Sequence, residues 1–169
     1  MEKSVAIAKI KRLCSAREYC SAQIISLLGR WNSRDFIFNK EEIATIIMEL
    51  EREGYISDLR FISAYARDKA LFRGWGPEKI LYKLKELGMP PAVRDGSEER
   101  ALRTIVEQAL DSVDTGGRLV KLLAKKWDGL KEREEPLPDK RGKLIRFALS
   151  RGYSYSVAVK TVAQVMKNS

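Results

Sequence analysis

Lysine and arginine side chains on both sides of a glycine corner are the residues best suited to chemistry with a partner. They flank Gly74-Trp75-Gly76-Pro77 and crowd the C-terminal third of the chain. These basic residues are Arg60, Arg67, Lys69, Arg73, Lys79, Lys83, Lys85, Lys121, Lys125, Lys126, Lys140, Arg141, Lys143, Arg146 and Arg151. Lys and Arg bind phosphates and carboxylates, so the pattern indicates a strip that meets nucleic acid or an acidic protein surface. The same residue types cover ordinary solvated helices, and composition weights the two interpretations equally.

The overall charge favours a phosphate-rich or acidic partner. The 169 residues include 32 Lys and Arg against 23 Asp and Glu, which gives a formal net charge of +9 at pH 7. Such a balance speeds encounters with polyanions, although it identifies none of them. Aromatic residues make up 8% of the chain and interleave poorly with the basic residues along the sequence. Stacking of single-stranded bases is therefore not strongly indicated.

The sequence offers no catalytic or metal-binding constellation. It contains no histidine, which removes the commonest general base and any Ser/His or Cys/His pair. Cys14 and Cys20 are too few for a zinc site, and both are expected to be small core residues. The Gly74-x-Gly76 pair lacks the third glycine and the preceding strand of a dinucleotide site. We therefore predict a protein that is not an enzyme and needs no cofactor.

No segment predicts insertion into a membrane or export. No apolar run approaches the ~20 residues that cross a bilayer. The short apolar run at 5–8 is interrupted at once by Lys9, Lys11 and Arg12, unlike a secretory leader. We expect a cytoplasmic protein without a membrane partner, and we take it to be a monomer.

The glycine corner joins two predicted helices between Gly54 and Gly88, on which the first basic residues lie. Asp58 is the predicted N-cap of the first helix, because its carboxylate can accept from the free N–H groups of the first turn. The two corner glycines allow backbone angles closed to other residues, and Pro77 suits the first turn of the second helix. Gly88 is placed to end that helix as a left-handed C-cap. The stretch predicts an αα-hairpin.

Apolar stripes at helical spacing predict helices along the rest of the chain. Asn39, with Glu42 three residues later, predicts a capping box at the start of a helix that Gly54 ends. The other predicted helices lie at 3–12, at 24–31, from Ser97, and at 118–131, 142–151 and 155–166. The Met89–Ser97 segment and the charged, proline-containing stretch 131–140 are predicted loops.

The same stripe and stop recur along the chain, which predicts a repeat protein. The matching sets are Ile24, Leu28 and Asn32; Ile80, Leu84 and Gly88; and Leu144, Ala148 and Gly152. Helices follow in the order short, short and longer. We predict an all-α fold of three tandem three-helix repeats, 1–56, 57–112 and 113–169, forming an elongated, gently curved body.

Several of these features together resemble the RecX family of recombination regulators. The central features are Gly54-Tyr55-Ile56-Ser57-Asp58-Leu59-Arg60-Phe61, Tyr65, Arg67, Gly74-x-Gly76-Pro77, Ile80, Leu84 and Leu87-Gly88. The stretch Leu13-x-x-x-Arg17-Glu18-Tyr19 is similar to the family's opening, and 143–154 is similar to its closing repeat. Three features depart from the family pattern: Ser57 in place of an acid, Ile62 in place of a small residue, and a long Met89–Ser97 loop. The loop affects the spacing of the second and third repeats.

The resemblance implies binding to the RecA recombinase, alone or as a filament on single-stranded DNA, with restraint of strand exchange and ATP hydrolysis. Under that hypothesis the expected contact residues are Arg67, Arg73, Lys79, Lys83, Lys143 and Arg146. Two other classes of protein stay open. One is a basic helical DNA-binding protein with no recombinase partner, and the other is an α-helical scaffold for an unrelated acidic protein.

Overall fold

A computed structural model of the chain describes residues 3–32, 37–89 and 97–168. Within these ranges the chain forms nine α-helices and no strand, which confirms the predicted all-α repeat class. The helices are α1 (Lys3–Ala16), α2 (Ser21–Arg30), α3 (Lys40–Arg52), α4 (Asp58–Arg73), α5 (Pro77–Glu86), α6 (Ser97–Leu110), α7 (Thr115–Asp128), α8 (Leu137–Ser150) and α9 (Tyr155–Lys167). Most of the predicted turn at 32–34 and of the Met89–Ser97 loop lies outside the described residues.

Each consecutive set of three helices has its own hydrophobic core, and we call these sets unit one (α1–α3), unit two (α4–α6) and unit three (α7–α9). The middle helix of each unit buries two apolar residues one turn apart with no accessible surface. These pairs are Ile24 and Leu28, Ile80 and Leu84, and Leu144 and Ala148. They are the positions that the sequence pattern matches between repeats. The limits 1–56, 57–112 and 113–169 remain a prediction.

Three helices end in the same way, at a glycine with positive φ. Gly54, Gly88 and Gly152 have φ values of 77°, 86° and 89°. After each glycine, the next N–H donates to the carbonyl five residues earlier: Tyr55 to Leu50 at 2.9 Å, Met89 to Leu84 at 3.0 Å, and Tyr153 to Ala148 at 3.3 Å. This is the Schellman arrangement, which satisfies helix carbonyls that would otherwise lack donors. The predicted stop at Gly88 is confirmed.

Several predicted helix limits are wrong. α1 continues to Ala16 and is no shorter than its neighbours, so the order short, short and longer does not hold. α7 begins at Thr115 because the Asp114 carboxylate accepts from the Gly117 N–H at 2.8 Å. α8 begins at Leu137, inside the predicted 131–140 loop, since a proline in the first turn of a helix blocks no intrahelical bond.

The described units follow one another in a row, and the surface area agrees with an extended shape. The accessible surface is 10677 Å². A compact monomer of 19.3 kDa would expose about 8500 Å². The excess supports the elongated form expected of stacked repeats.

Asp58 joins unit one to unit two. The sequence predicts Asp58 as the N-cap of α4, and this prediction is wrong. The cap is Ser57, whose hydroxyl accepts from the Arg60 N–H at 3.3 Å. The Asp58 carboxylate instead accepts from the N–H of Ser21 at 2.7 Å and from its hydroxyl at 2.5 Å. Ser21 is the first residue of α2, so the acid sits at the positive end of a second helix. Tertiary packing decides between two equally suitable cap residues here.

Unit two meets unit three through the backbone. The Gly76 N–H donates to the Arg151 carbonyl at 2.7 Å, and the Glu78 N–H donates to the Gly152 carbonyl at 3.1 Å. The residues that end α8 thereby satisfy amides at the N-terminus of α5, and the negative end of the α8 dipole meets the positive end of the α5 dipole. We call this contact the α8–α5 joint. A side chain on Gly76 would place Cβ 2.5 Å from the Gly152 carbonyl oxygen, so the joint requires glycine.

We predict that Gly152→Ala destabilises the chain far more than Gly54→Ala. Both glycines have positive φ and end a helix in the same way, so both substitutions carry a backbone cost of about 1 kcal/mol. Only at Gly152 would the new methyl group overlap Lys79, whereas nothing lies within 4 Å of it at Gly54. We expect an additional loss of about 1–3 kcal/mol in the free energy of unfolding, measured by urea denaturation. Equal losses for the two variants would contradict the α8–α5 joint.

Candidate nucleic-acid interface

Helices α7 and α8 form a basic groove on unit three, which we call the α7–α8 groove. Its lining residues are Lys125, Lys126, Gly129, Leu130, Arg133, Lys143, Arg146, Phe147 and Ser150. Five of these nine side chains are cationic and none is acidic. The Lys126 ammonium lies 4.9 Å from the centroid of the Phe147 ring, which combines a cation with an aromatic face in one wall.

The cations of the α7–α8 groove differ in how far they are already neutralised. The Lys143 ammonium pairs with the Glu135 carboxylate and holds the pKa of that carboxyl below its ordinary value. The Arg133 guanidinium donates to the Gly129 carbonyl at 3.0 Å. Lys125 and Arg146 have no carboxylate partner in the part of the chain that the structure describes. These two side chains are therefore available to an incoming anion.

A second basic groove lies where unit two meets unit three, and we call it the inter-unit groove. Its lining residues are Phe72, Arg73, Gly74, Arg118, Lys121, Leu122 and Arg151. Four of the seven are cationic and none is acidic. The Arg151 guanidinium donates to the Arg73 carbonyl at 2.9 Å and also lies 5.1 Å from the Phe147 ring centroid. Arg151 therefore links the two grooves.

Helix α7 contributes to both grooves because of its amphipathic spacing. Arg118, Lys121 and Lys125 recur every three or four residues and share one face of the helix. The opposite face buries Leu119 and Leu123 in the core of unit three. The apolar stripe therefore holds the basic stripe in place along the grooves.

The structure brings three of the six expected contact residues into the grooves. Lys143 and Arg146 line the α7–α8 groove, and Arg73 lines the inter-unit groove. The other three lie elsewhere on unit two. The Lys79 ammonium donates to the Ser150 carbonyl at 3.0 Å, beside the α8–α5 joint; Lys83 pairs with Glu86; and Arg67 is exposed on α4.

Arg118 belongs to none of the groups of basic residues that the sequence indicates, and Arg151 has no role there beyond membership of one such group. The periodic spacing of Arg118, Lys121 and Lys125 was a usable signal for one basic helix face. No local signal brings Arg151 beside Arg73, because that proximity depends on the α8–α5 joint.

The sequence groups Lys140 with the basic residues of the third repeat, but in the structure it is a buried structural side chain. It is 7% exposed, and its ammonium donates to the Lys131 carbonyl at 2.7 Å. Because α8 starts at Leu137, Lys140 lies on the inner side of the first turn rather than in a solvated loop.

Aromatic rings lie among the cations more often than the sequence order suggested. The Lys69 ammonium is 5.0 Å from the Tyr65 ring centroid and 5.3 Å from that of Trp75. Lys79 also lies over Trp75, at 5.0 Å. These pairs and those at Phe147 come from helix packing, so the expectation of poor interleaving along the sequence does not describe the folded surface.

Residues 3–32, 37–89 and 97–168 contain neither a candidate metal site nor a candidate membrane-spanning helix. No group of three or more Cys, Asp or Glu side chains there is placed to hold a metal ion. Among the helices of those ranges, none combines the length and the apolar character that a bilayer span requires.

The fold and its two basic grooves define a helical-repeat protein built from three-helix domains, and comparisons with known proteins agree. The family model described as "RecX, second three-helix domain" matches residues 57–95, and that described as "RecX, third three-helix domain" matches residues 117–161. Regulatory protein RecX of Legionella pneumophila (strain Corby) is 26% identical over 155 residues, covering 91% of this chain and 90% of that protein. Regulatory protein RecX of Clostridium perfringens (strain SM101 / Type A) is 29% identical over 131 residues, covering 78% of this chain and 57% of that protein.

Solved structures share the fold. The crystal structure of RecX from Lactobacillus salivarius superposes with a TM-score of 0.75 at 17% identity, covering 98% of this chain and 97% of that chain. A second crystal structure of a regulatory protein RecX gives a TM-score of 0.72 at 17% identity, covering 94% of this chain and 71% of that chain. These structures show the shared fold, and the two RecX domain models together with the RecX relatives show that the chain belongs to the RecX family of regulatory proteins.

We predict that Lys140→Gln lowers stability while Arg141→Gln does not. Lys140→Gln removes the buried ammonium that donates to the Lys131 carbonyl. Because that carbonyl loses its hydrogen bond, we expect the free energy of unfolding to fall by about 1–2 kcal/mol. Arg141 is an exposed neighbour with the same charge and serves as the matched control. Urea denaturation measures both. A Lys140→Gln variant as stable as Arg141→Gln would show that Lys140 is a surface cation after all.

Proposed function

We propose that this chain binds the RecA recombinase, above all as a filament on single-stranded DNA, and lowers its ATPase and strand-exchange activity. Membership of the RecX family supports this proposal. The single structural observation that carries it is the continuous basic surface of the two grooves, linked by Arg151. A filament of protein on DNA offers both phosphates and carboxylates to such a surface.

The repeat architecture suits an extended partner. Stacked units present their surfaces in a row, and several modest contacts along a row add up when one chain makes them together. In the proposed complex Lys143, Arg146 and Arg73 make contacts from the two grooves. Arg67, Lys79 and Lys83 extend the contact along unit two. Each of these assignments is part of the proposal.

The remaining features of the proposal follow from the same role. The chain acts by binding rather than by catalysis, works as a monomer in the cytoplasm, and divides at 56/57 and 112/113. Binding of this chain along the filament restrains the recombinase without any chemical step on this chain. Direct contact with the bound DNA adds to contact with the recombinase.

The proposal is tested by measuring the DNA-dependent ATPase rate of RecA while this chain is titrated in. We expect the rate to fall at substoichiometric amounts of the wild-type chain. The double variant Lys143→Gln, Arg146→Gln removes two groove charges without setting a new acid against Glu135. We expect it to need roughly 10-fold more protein for the same effect, equivalent to about 1.4 kcal/mol of binding free energy.

A double variant on α9 provides the matched control. Lys160→Gln, Lys167→Gln removes the same charge from exposed positions that line neither groove, and it should inhibit like the wild type. Equal inhibition by both double variants would refute the groove assignment. A wild-type chain without effect on the ATPase would refute the recombinase proposal. Retained binding to bare DNA would then favour the general DNA-binding class, and its absence would favour the scaffold class.

A further inference from the structure

We propose that the inter-unit groove is a binding site for single-stranded nucleic acid, in which one unpaired base stacks on Phe72 while its neighbouring phosphates bind the groove cations. The proposal goes beyond recombinase binding and does not rest on it, because it concerns the bare strand. It names a site that only the folded chain possesses, since unit two supplies Phe72 and Arg73 and unit three supplies Arg118, Lys121 and Arg151.

The charge of the groove points to a polyanion. Arg73, Arg118, Lys121 and Arg151 line one small depression, and no lining residue is acidic. Burial raises the pKa of the Tyr153 hydroxyl, and the positive charges of Arg118 and Arg151 oppose that rise, so both guanidinium groups act on one buried residue. Like charges held this close repel one another, and a bound phosphate relieves that repulsion.

The groove is built in advance rather than assembled from mobile lysines. The Arg151 guanidinium is held by the Arg73 carbonyl and by the Phe147 ring, and one bond leaves most of its five N–H donors free. The floor is tightly packed at Gly74, where a Cβ would lie 2.5 Å from Cδ1 of Leu122. Such a fixed guanidinium binds phosphate with little loss of side-chain entropy.

Phe72 distinguishes this groove from a simple phosphate site. Its side chain is 78% exposed at the end of α4, directly beside the cations. An exposed phenyl ring is stabilised when another flat apolar surface stacks on it, and every nucleic-acid base has such a surface. In a duplex those faces are already stacked on each other. The ring therefore favours a single strand.

The arrangement of the cations favours a repeating anion over an acidic peptide. Arg118 and Lys121 in the inter-unit groove continue along the same face of α7 to Lys125 in the α7–α8 groove. The seven-residue step from Arg118 to Lys125 rises about 10 Å along the helix, so the cations form an extended row rather than a single cluster. A strand backbone carries one negative charge per nucleotide and matches such a row along its length.

The test is fluorescence anisotropy of a labelled oligothymidylate and of a duplex, each titrated with the full-length chain at several salt concentrations. The variant Phe72→Leu removes the ring and keeps an apolar helix former. We expect roughly 5- to 100-fold weaker binding to the single strand, with an unchanged salt slope and little change for the duplex. We expect Lys121→Gln to weaken both ligands and to reduce the single-strand salt slope by about 0.7.

Tyr155→Leu is the matched control, because it removes another exposed ring, 67% accessible, from a position that lines neither basic groove. It should bind like the wild type. Oligouridylate is titrated beside oligothymidylate to compare the affinities for RNA and for DNA. Weaker binding of either strand by Phe72→Leu supports the site. Unchanged single-strand affinity of Phe72→Leu would overturn the proposal. So would a Phe72→Leu variant that loses inhibition of the recombinase but keeps full affinity for the bare strand, since Phe72 would then be a protein contact.

Discussion

Two backbone hydrogen bonds between the end of α8 and the start of α5 are the constraint on which the functional surface depends. They join the carbonyls of Arg151 and Gly152, directly after α8, to amides of Gly76 and Glu78 that α5 leaves without acceptors. The approach is possible only because Gly76 and Gly152 lack side chains. This contact sets unit three against unit two, and it brings Arg151 within hydrogen-bonding distance of the Arg73 carbonyl.

The same contact concentrates positive charge, and this links stability to function. Burying backbone polar groups against each other stabilises the joint, whereas the cations that it gathers in the inter-unit groove repel one another. A polyanion in the groove removes the repulsion and leaves the joint intact. In the proposal made above, the free chain is a preformed receptor for phosphates, because folding has already brought its cations together. The α7–α8 groove extends that receptor along unit three through Arg151 and Phe147.

Local patterns in the sequence predicted the repeated parts of the fold and missed the contacts between them. The stops at Gly54, Gly88 and Gly152 depend on neighbouring residues only, and the structure has all three. The second role of Gly152, as a surface for α5, depends on a residue far away along the chain. Asp58 shows the same limit, since it and Ser57 suit a cap equally well and only Ser21 decides between them. For the grooves, the sequence identified cationic residue types, but their grouping required the joint.

Amide hydrogen exchange at Glu78 tests the central claim most directly. Glu78 is the second residue of α5, where an N–H normally lacks an acceptor, and here it donates to the Gly152 carbonyl at 3.1 Å. Glu41 occupies the same position in α3, and its N–H has no acceptor within the described residues. The joint predicts that Glu78 exchanges only through a large opening of the structure, whereas Glu41 exchanges nearly as fast as an unfolded amide. If Glu78 exchanges as fast as Glu41, unit two and unit three are not joined in this way, and the inter-unit groove does not exist in solution.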